Sequence, residues 1–139
     1  MKLEDQICSL ELAIRLKELG VKQNSLFDWY CQVGGIILDT DVRGKWIIRP
    51  ELERNQGVGE RCSAFTVAEL GGMLPQEINS FWIRFLKYSK EFEVGYWEEM
   101  CDGDERRFSH YKDEKESDAR AKMLIHLLEE GLVNPKEKP

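Results

Sequence analysis

The sequence predicts an α+β domain: an antiparallel sheet of about five short strands, two longer helices near the two ends of the chain, and one short central helix. Three observations predict it. Apolar residues recur at helical spacing near both ends, aromatic segments with strand alternation fill the stretches between, and a helix-start signature stands at the centre. The order helix, strands, short helix, strands, helix places helices against an antiparallel sheet.

Ser9 to Leu19 predicts the first helix. Leu12, Leu16 and Leu19 form a stripe that Cys8 extends, Ser9 stands at the N-cap, and Glu11 and Arg15 can pair four residues apart. Gly20 ends it in the left-handed conformation, with Val21 folding back onto the last turn. Leu26 to Val33 is aromatic and β-prone and stops at Gly34-Gly35. Ile36-Ile37-Leu38, a polar turn through Asp39 to Arg43, and Trp46-Ile47-Ile48 complete a meander of two or three strands. Arg49 to Arg61, with Gly57 and Gly59, reads as a charged, mobile connection.

Thr66-Val67-Ala68-Glu69 is a capping box. The Thr66 hydroxyl accepts from the N–H of Glu69, and the Glu69 carboxylate reaches back to the N–H of Thr66. Phe65 before the cap and Leu70 inside the helix can form a hydrophobic staple. Gly71-Gly72 and Pro75 keep this helix short. Phe81 to Tyr88 and Phe92 to Tyr96 alternate as a hairpin turning near Ser89-Lys90, and the first strand, apolar on both faces, is expected inside the sheet. Met100 to Arg107 reads as an acidic loop and Phe108 to Tyr111 as one more short strand. Ser117 to Glu130 is the last helix. Ala121, Leu124, Ile125 and Leu128 form its stripe, Glu116/Arg120 and Asp118/Lys122 its ion pairs, and Gly131 with Leu132 its stop.

Length and charge bound the functions open to the chain. Its 139 residues suit a single domain over 1–139, with 134–139 as a polar tail, and need no metal or disulfide staple. A net charge of −6 argues against a general attraction to nucleic acid or anionic membrane. No apolar run reaches the length of a membrane span, and acids interrupt the N-terminal stretch where a signal peptide needs apolar residues, so a cytoplasmic protein is expected. Cys8, Cys31, Cys62 and Cys101 form no C-x-x-C pair and read as free, mostly buried thiols.

Three stretches stand out together: SLELAIRLKELGVKQNSLFDWY from Ser9, SAFTVAELGGMLP from Ser63 and SDARAKMLIHLLEEGLV from Ser117. In content and order they resemble a group of small bacterial and prophage-encoded proteins of unknown function. The resemblance covers nearly the whole chain and implies a phage or mobile-element setting. It brings no activity, ligand or catalytic residue. The chain departs from that pattern in a longer, more glycine-bearing middle connection and in Gly72, which stands in place of an acid.

Candidate functional residues divide by chemistry. Ala68, Gly72, Met73, Ile78 and Phe81 fit the spacing of a helix-turn-helix over 66–81, the basis of an alternative reading as a DNA-binding accessory protein. Gln76 to Ser80, where bases would be read, carries no Lys or Arg, which favours a capped helix leading into a strand. His110 and His126 show no nucleophile–base signature, and Asp102-Gly103-Asp104-Glu105 lacks the further ligands of an EF-hand loop. Walker A, G-x-G-x-x-G, H-E-x-x-H and G-x-S-x-G motifs are absent from the sequence. No catalytic residue, metal ligand or cofactor is therefore predicted.

The tryptophans, Trp29, Trp46, Trp82 and Trp97, all fall in predicted strands, where packing explains most of them and an exposed one would anchor an interface. Ala119 and Met123 add a second apolar strip to the last helix, as a partner or a second copy would require. The expectation is a non-enzymatic protein-interaction or self-associating module, with Trp29, Trp46, Trp97 and Met123 as candidate partner-binding residues.

Overall fold

The computed structural model describes residues 2–34, 45–50, 58–101 and 103–135, with the side chains of 32–34 and 58 left undescribed. In chain order it contains a 3-10 turn at Leu3–Asp5, then α1 (Leu10–Glu18), β1 (Phe27–Gly34), β2 (Trp46–Pro50), β3 (Val58–Ser63) and α2 (Val67–Met73). These are followed by β4 (Glu77–Ile78), β5 (Phe81–Lys87), β6 (Phe92–Glu99), β7 (Glu105–Asp113) and α3 (Glu116–Glu129). The fold is α+β, with its strands in two antiparallel sheets ordered β2-β1-β3 and β4-β5-β6-β7.

The helix boundaries follow the capping chemistry. Ser9 is the N-cap of α1, but its side chain makes no capping bond; its main-chain N–H donates to Asp118 Oδ1 at 2.7 Å. Gly20 and Gly131 adopt φ of +89° and +71° and close α1 and α3 with paired return bonds, Val21 N–H to Leu16 O and Leu132 N–H to Leu127 O. The expected Glu11/Arg15 pair gives way to Arg15 with Glu18 and Glu129, 3.3 and 3.0 Å away. Glu116/Arg120 forms at 2.8 Å, whereas Lys122 pairs with Asp113, and Asp118 with Lys115.

Several strand expectations change. The segment read as a mobile connection ends in β3, which pairs with β1 and makes β1 the middle strand of its sheet. The strand expected at 36–38 and the turn after it lie outside the described residues, as do Asp102 and 136–139. β7 spans nine residues rather than four. β5 lies inside its sheet as expected, between β4 and β6, but only the two-residue β4 pairs with its outer side; β6 is the more buried strand, with Glu93 through Trp97 all buried.

One core joins the layers. α3 packs on β6 and β7 and is flanked by α1 and α2, while α1 also contacts β3. Val94 and Tyr96 face α3 from the sheet; Leu124 and Leu127 meet them within a cluster that includes Leu16, Phe65 and Leu70. The second apolar strip of α3, Ala119 and Met123, is fully buried by the chain's own elements, and Met123 Sδ accepts from Ser109 Oγ of β7 at 3.6 Å. That strip therefore needs no partner to cover it.

Candidate functional site

The three sequence blocks meet at one junction. Main-chain bonds run from Cys8 N–H to Phe65 O (2.9 Å), Val67 N–H to Gln6 O (3.0 Å) and Ala64 N–H to Phe27 O (2.8 Å). The capping box forms as predicted, with Thr66 N–H on Glu69 Oε1 at 3.0 Å and Glu69 N–H on Thr66 Oγ1 at 3.2 Å. Glu69 does more than cap. Its carboxylate also accepts from the Ser25 hydroxyl at 2.8 Å and the Leu26 N–H at 3.3 Å, tying α2 to the entry of β1. Ser117 Oγ donates to Ile7 O at 2.7 Å and brings in the start of α3. Phe65 and Leu70, the predicted staple, are both fully buried. The junction is thus a structural knot, with its polar groups turned toward one another.

The helix-turn-helix reading of 66–81 fails at its second helix. Asn79 and Ser80 have positive φ, 50° and 74°, and make the two-residue turn of a β4–β5 hairpin with Ile78 paired to Phe81. Asn is one of the residues that tolerates this conformation, and the strand composition from Phe81 onward pulls the chain into the sheet.

The histidines are engaged and three of the four thiols are buried. His126 Nδ1 lies 3.0 Å from Tyr111 Oη, and His110 Nδ1 lies 3.3 Å from Arg107 Nη1 on an exposed surface. Burial pushes the Cys8 thiol up to about 12 and the Cys62 thiol up to about 11, so neither is a ready nucleophile. Cys8, Cys31 and Cys62 are buried and free, and Cys101 is exposed. Among the described residues, no group of three or more His, Cys, Asp or Glu side chains stands close enough to hold a metal ion. A cleft of about 470 Å³ lies between the end of α2 and the end of α3, lined mainly by Met73, Leu74, Leu124, Leu128 and Pro135. It gathers no cluster of ionisable groups.

The tryptophans separate by environment. Trp29 is half-buried on the core side of the first sheet, and its indole N–H donates to Cys8 O at 3.0 Å. Trp46, half-buried, packs against the same core. Trp97 and Met123 are 4% and 0% exposed and present almost no surface to a partner. For Trp97 the reason is local: it points to the outer face of the second sheet, where it lies down across Gly95. A Cβ at Gly95 would stand 2.5 Å from the indole. Arg84 and Arg107 guanidinium groups flank the ring, each 5.7 Å from its centre.

The exposed member is Trp82, at 56%, on the same outer face and directly opposite Trp97. Tyr88, 44% exposed, follows at the hairpin turn; Phe85, 43% exposed, points to the opposite face, where the Arg120 guanidinium of α3 stands 4.1 Å from its ring centre. Arg84 pairs with Glu105 at 2.9 Å across this face, and Lys112 holds the buried Glu93 at 3.3 Å, a contact that raises the pKa of the Lys112 ammonium. Of the four residues the sequence singled out, Trp97 and Met123 are buried and Trp29 and Trp46 half-buried, while Trp82, not among them, is exposed. Burial of Trp97 depends on Gly95 beneath it, whereas Trp82, although paired to Glu77 of β4, turns its ring to the outer face that no described helix covers.

The strand β5 also presents open backbone. Its even-numbered residues bond toward β6, as Tyr88 N–H to Glu91 O shows at the hairpin end. Its odd-numbered residues face the other edge, where Ile83 N–H reaches Gln76 O at 3.0 Å. Beyond Ile83 no described strand pairs with that edge, which leaves the main-chain groups of Phe85 and Lys87 directed outward. The site therefore combines exposed aromatic rings, flanking guanidinium groups and a free strand edge, which is the chemistry of macromolecular docking. Among the described residues no helix is long and apolar enough to cross a membrane. Comparison with family models, curated proteins and solved structures gives no match to this chain.

Proposed function

We propose that this protein is a non-enzymatic interaction module that binds a protein chain through β5 and the outer face of its sheet. One observation carries the reading: Trp82 on the outer face of β5 and Tyr88 at its hairpin turn are exposed beside an edge that is open beyond Ile83 among the described residues. Aromatic and arginine side chains dominate binding hot spots, and an unpaired edge supplies directional main-chain bonds. A cytosolic, phage or mobile-element setting belongs to the same proposal. It rests on the three sequence blocks and on the buried, unpaired thiols of Cys8, Cys31 and Cys62.

The test is affinity capture of the tagged protein from a lysate of its source cell, beside Trp82→Ala and Tyr88→Ala and with a nuclease-treated sample in parallel. A protein, either another chain or an untagged copy, that is enriched with and without nuclease and lost with both variants supports the reading. Enrichment unchanged by the variants, or abolished by nuclease, overturns it.

A further inference from the structure

We infer that the chain docked on the β5 edge is a second copy of this protein, paired antiparallel, β5 to β5, about a two-fold axis beside Leu86. The inference rests on the interaction reading above and names its partner.

The geometry of the edge selects this pairing. β4 covers the edge only as far as Gln76, opposite Ile83. At Pro75 the chain turns beneath the sheet, where the Pro75 carbonyl accepts from the Tyr96 hydroxyl at 2.6 Å on the core face. Among the described residues the open edge thus begins at Arg84 and ends at the hairpin turn, closed by the Tyr88–Glu91 bond. Within it, Phe85 and Lys87 direct both main-chain groups outward, and Leu86 directs its own inward to β6.

A two-fold axis beside Leu86 sets Phe85 opposite the partner's Lys87 and Lys87 opposite the partner's Phe85. Those two hydrogen-bonded pairs supply four main-chain bonds. Leu86 then meets Leu86 of the partner subunit on the outer face, and Arg84 lies opposite the partner's Tyr88. No like charges stand directly opposite, and each cation has an aromatic ring across the seam. The neighbouring registers fail. An axis at Phe85 sets the partner's Lys87 against Ile83, whose N–H is already bonded to Gln76. An axis at Arg84 sets two guanidinium groups face to face and drives the partner strand into β4. An axis at Lys87 clears β4 but sets two ammonium groups face to face, so β5 is self-complementary with the axis beside Leu86.

The other edge of the sheet makes the contrast. β7 carries Glu105, Arg106, Arg107, Lys112 and Asp113, a density of charge that guards an edge against pairing. The free part of β5 places Phe85 and Leu86 between its two cations.

Sedimentation velocity of the full chain across a wide concentration range tests the inference, with variants made in a Cys101→Ser background for the cross-linking arm. The wild type is expected to shift from monomer to dimer with concentration. Phe85→Pro removes an outward N–H without touching the β5–β6 ladder and is expected to stay monomeric. Leu86→Lys sets two ammonium groups on the axis, beside Glu93 in each copy, and is expected to weaken the dimer by about tenfold or more. Leu86→Cys is expected to form a covalent dimer on mild oxidation, and Arg84→Cys to form none. Should Phe85→Pro lose its fold by circular dichroism, the Leu86 variants decide. A wild type that is monomeric at every concentration overturns the inference, as does a dimer that Leu86→Lys leaves intact. If that monomer still captures a protein that Trp82→Ala loses, only the identity of the partner falls; if capture is also unchanged by Trp82→Ala, the interaction reading falls with it.

Discussion

Phe65 and Phe85 carry the same side chain into opposite surroundings. Phe65 is fully buried at the junction of the three sequence blocks, its carbonyl bonded to Cys8 and its neighbours Ala64 and Thr66 bonded to Phe27 and Glu69. Phe85 stands 43% exposed on a strand whose outward main-chain groups have no described strand beside them. The chain thus holds one region in which side-chain burial and backbone bonding are completed together, and one in which both stop short together. A mutation in the first is expected to act on folding, and a mutation in the second on association.

The largest expected effect breaks the first region. Phe65→Ala empties a fully buried aromatic site and is expected to cost about 3–5 kcal/mol in urea unfolding, a large share of the stability of a domain this size. Glu69→Ala removes one carboxylate that serves Thr66, Ser25 and Leu26 and strands their donors, at an expected cost of about 1–3 kcal/mol by the same measurement. Glu69→Gln keeps an accepting oxygen and is expected to recover part of that loss.

A smaller effect sharpens the contrast through pH. Partial burial acts to raise the Asp113 carboxyl, but Lys122 Nζ at 2.6 Å and the Lys115 N–H at 2.9 Å outweigh it and hold the carboxyl below its ordinary value. A lowered folded-state value contributes stability that is complete above the unfolded value, near about 4, and is lost as pH falls through the folded one. The difference in unfolding free energy between wild type and Asp113→Asn is therefore expected at pH 7 and expected to shrink in acid. The smallest effect on stability belongs to the second region: Tyr88→Ala is expected to shift unfolding by no more than about 0.5 kcal/mol while weakening association.

What the sequence made legible was local chemistry. The capping box at Thr66 and Glu69, the glycine stops at Gly20 and Gly131, and the turn between Phe81–Lys87 and Phe92–Glu99 each depend on residues a few positions apart, and each is present. What was not legible depends on distant chain. β3 hid behind Gly59, which reads as flexibility. Instead it lets two strands meet, since a Cβ there would stand 2.2 Å from Cys31 O and 2.9 Å from the Tyr30 ring. The second strip of α3 looked like surface for a partner because a helix read alone does not reveal that its own chain packs on two sides of it. In the candidate site, the aromatic strand and its tryptophans were visible as residue types. Which of them is exposed was set by Gly95 under Trp97 and by the outer sheet face to which Trp82 points, away from the helices.

Residue-resolved amide hydrogen exchange reads both regions in one sample. In dilute protein the amides of Cys8, Ala64 and Val67 are expected to exchange only through global unfolding. Along β5 the pattern is expected to alternate, with Arg84 and Leu86 slow and Phe85 and Lys87 fast, the fast pair slowing as protein concentration rises. Amides of Phe85 and Lys87 as slow as those of the junction, and unchanged by dilution, would contradict the open edge on which the proposed function rests.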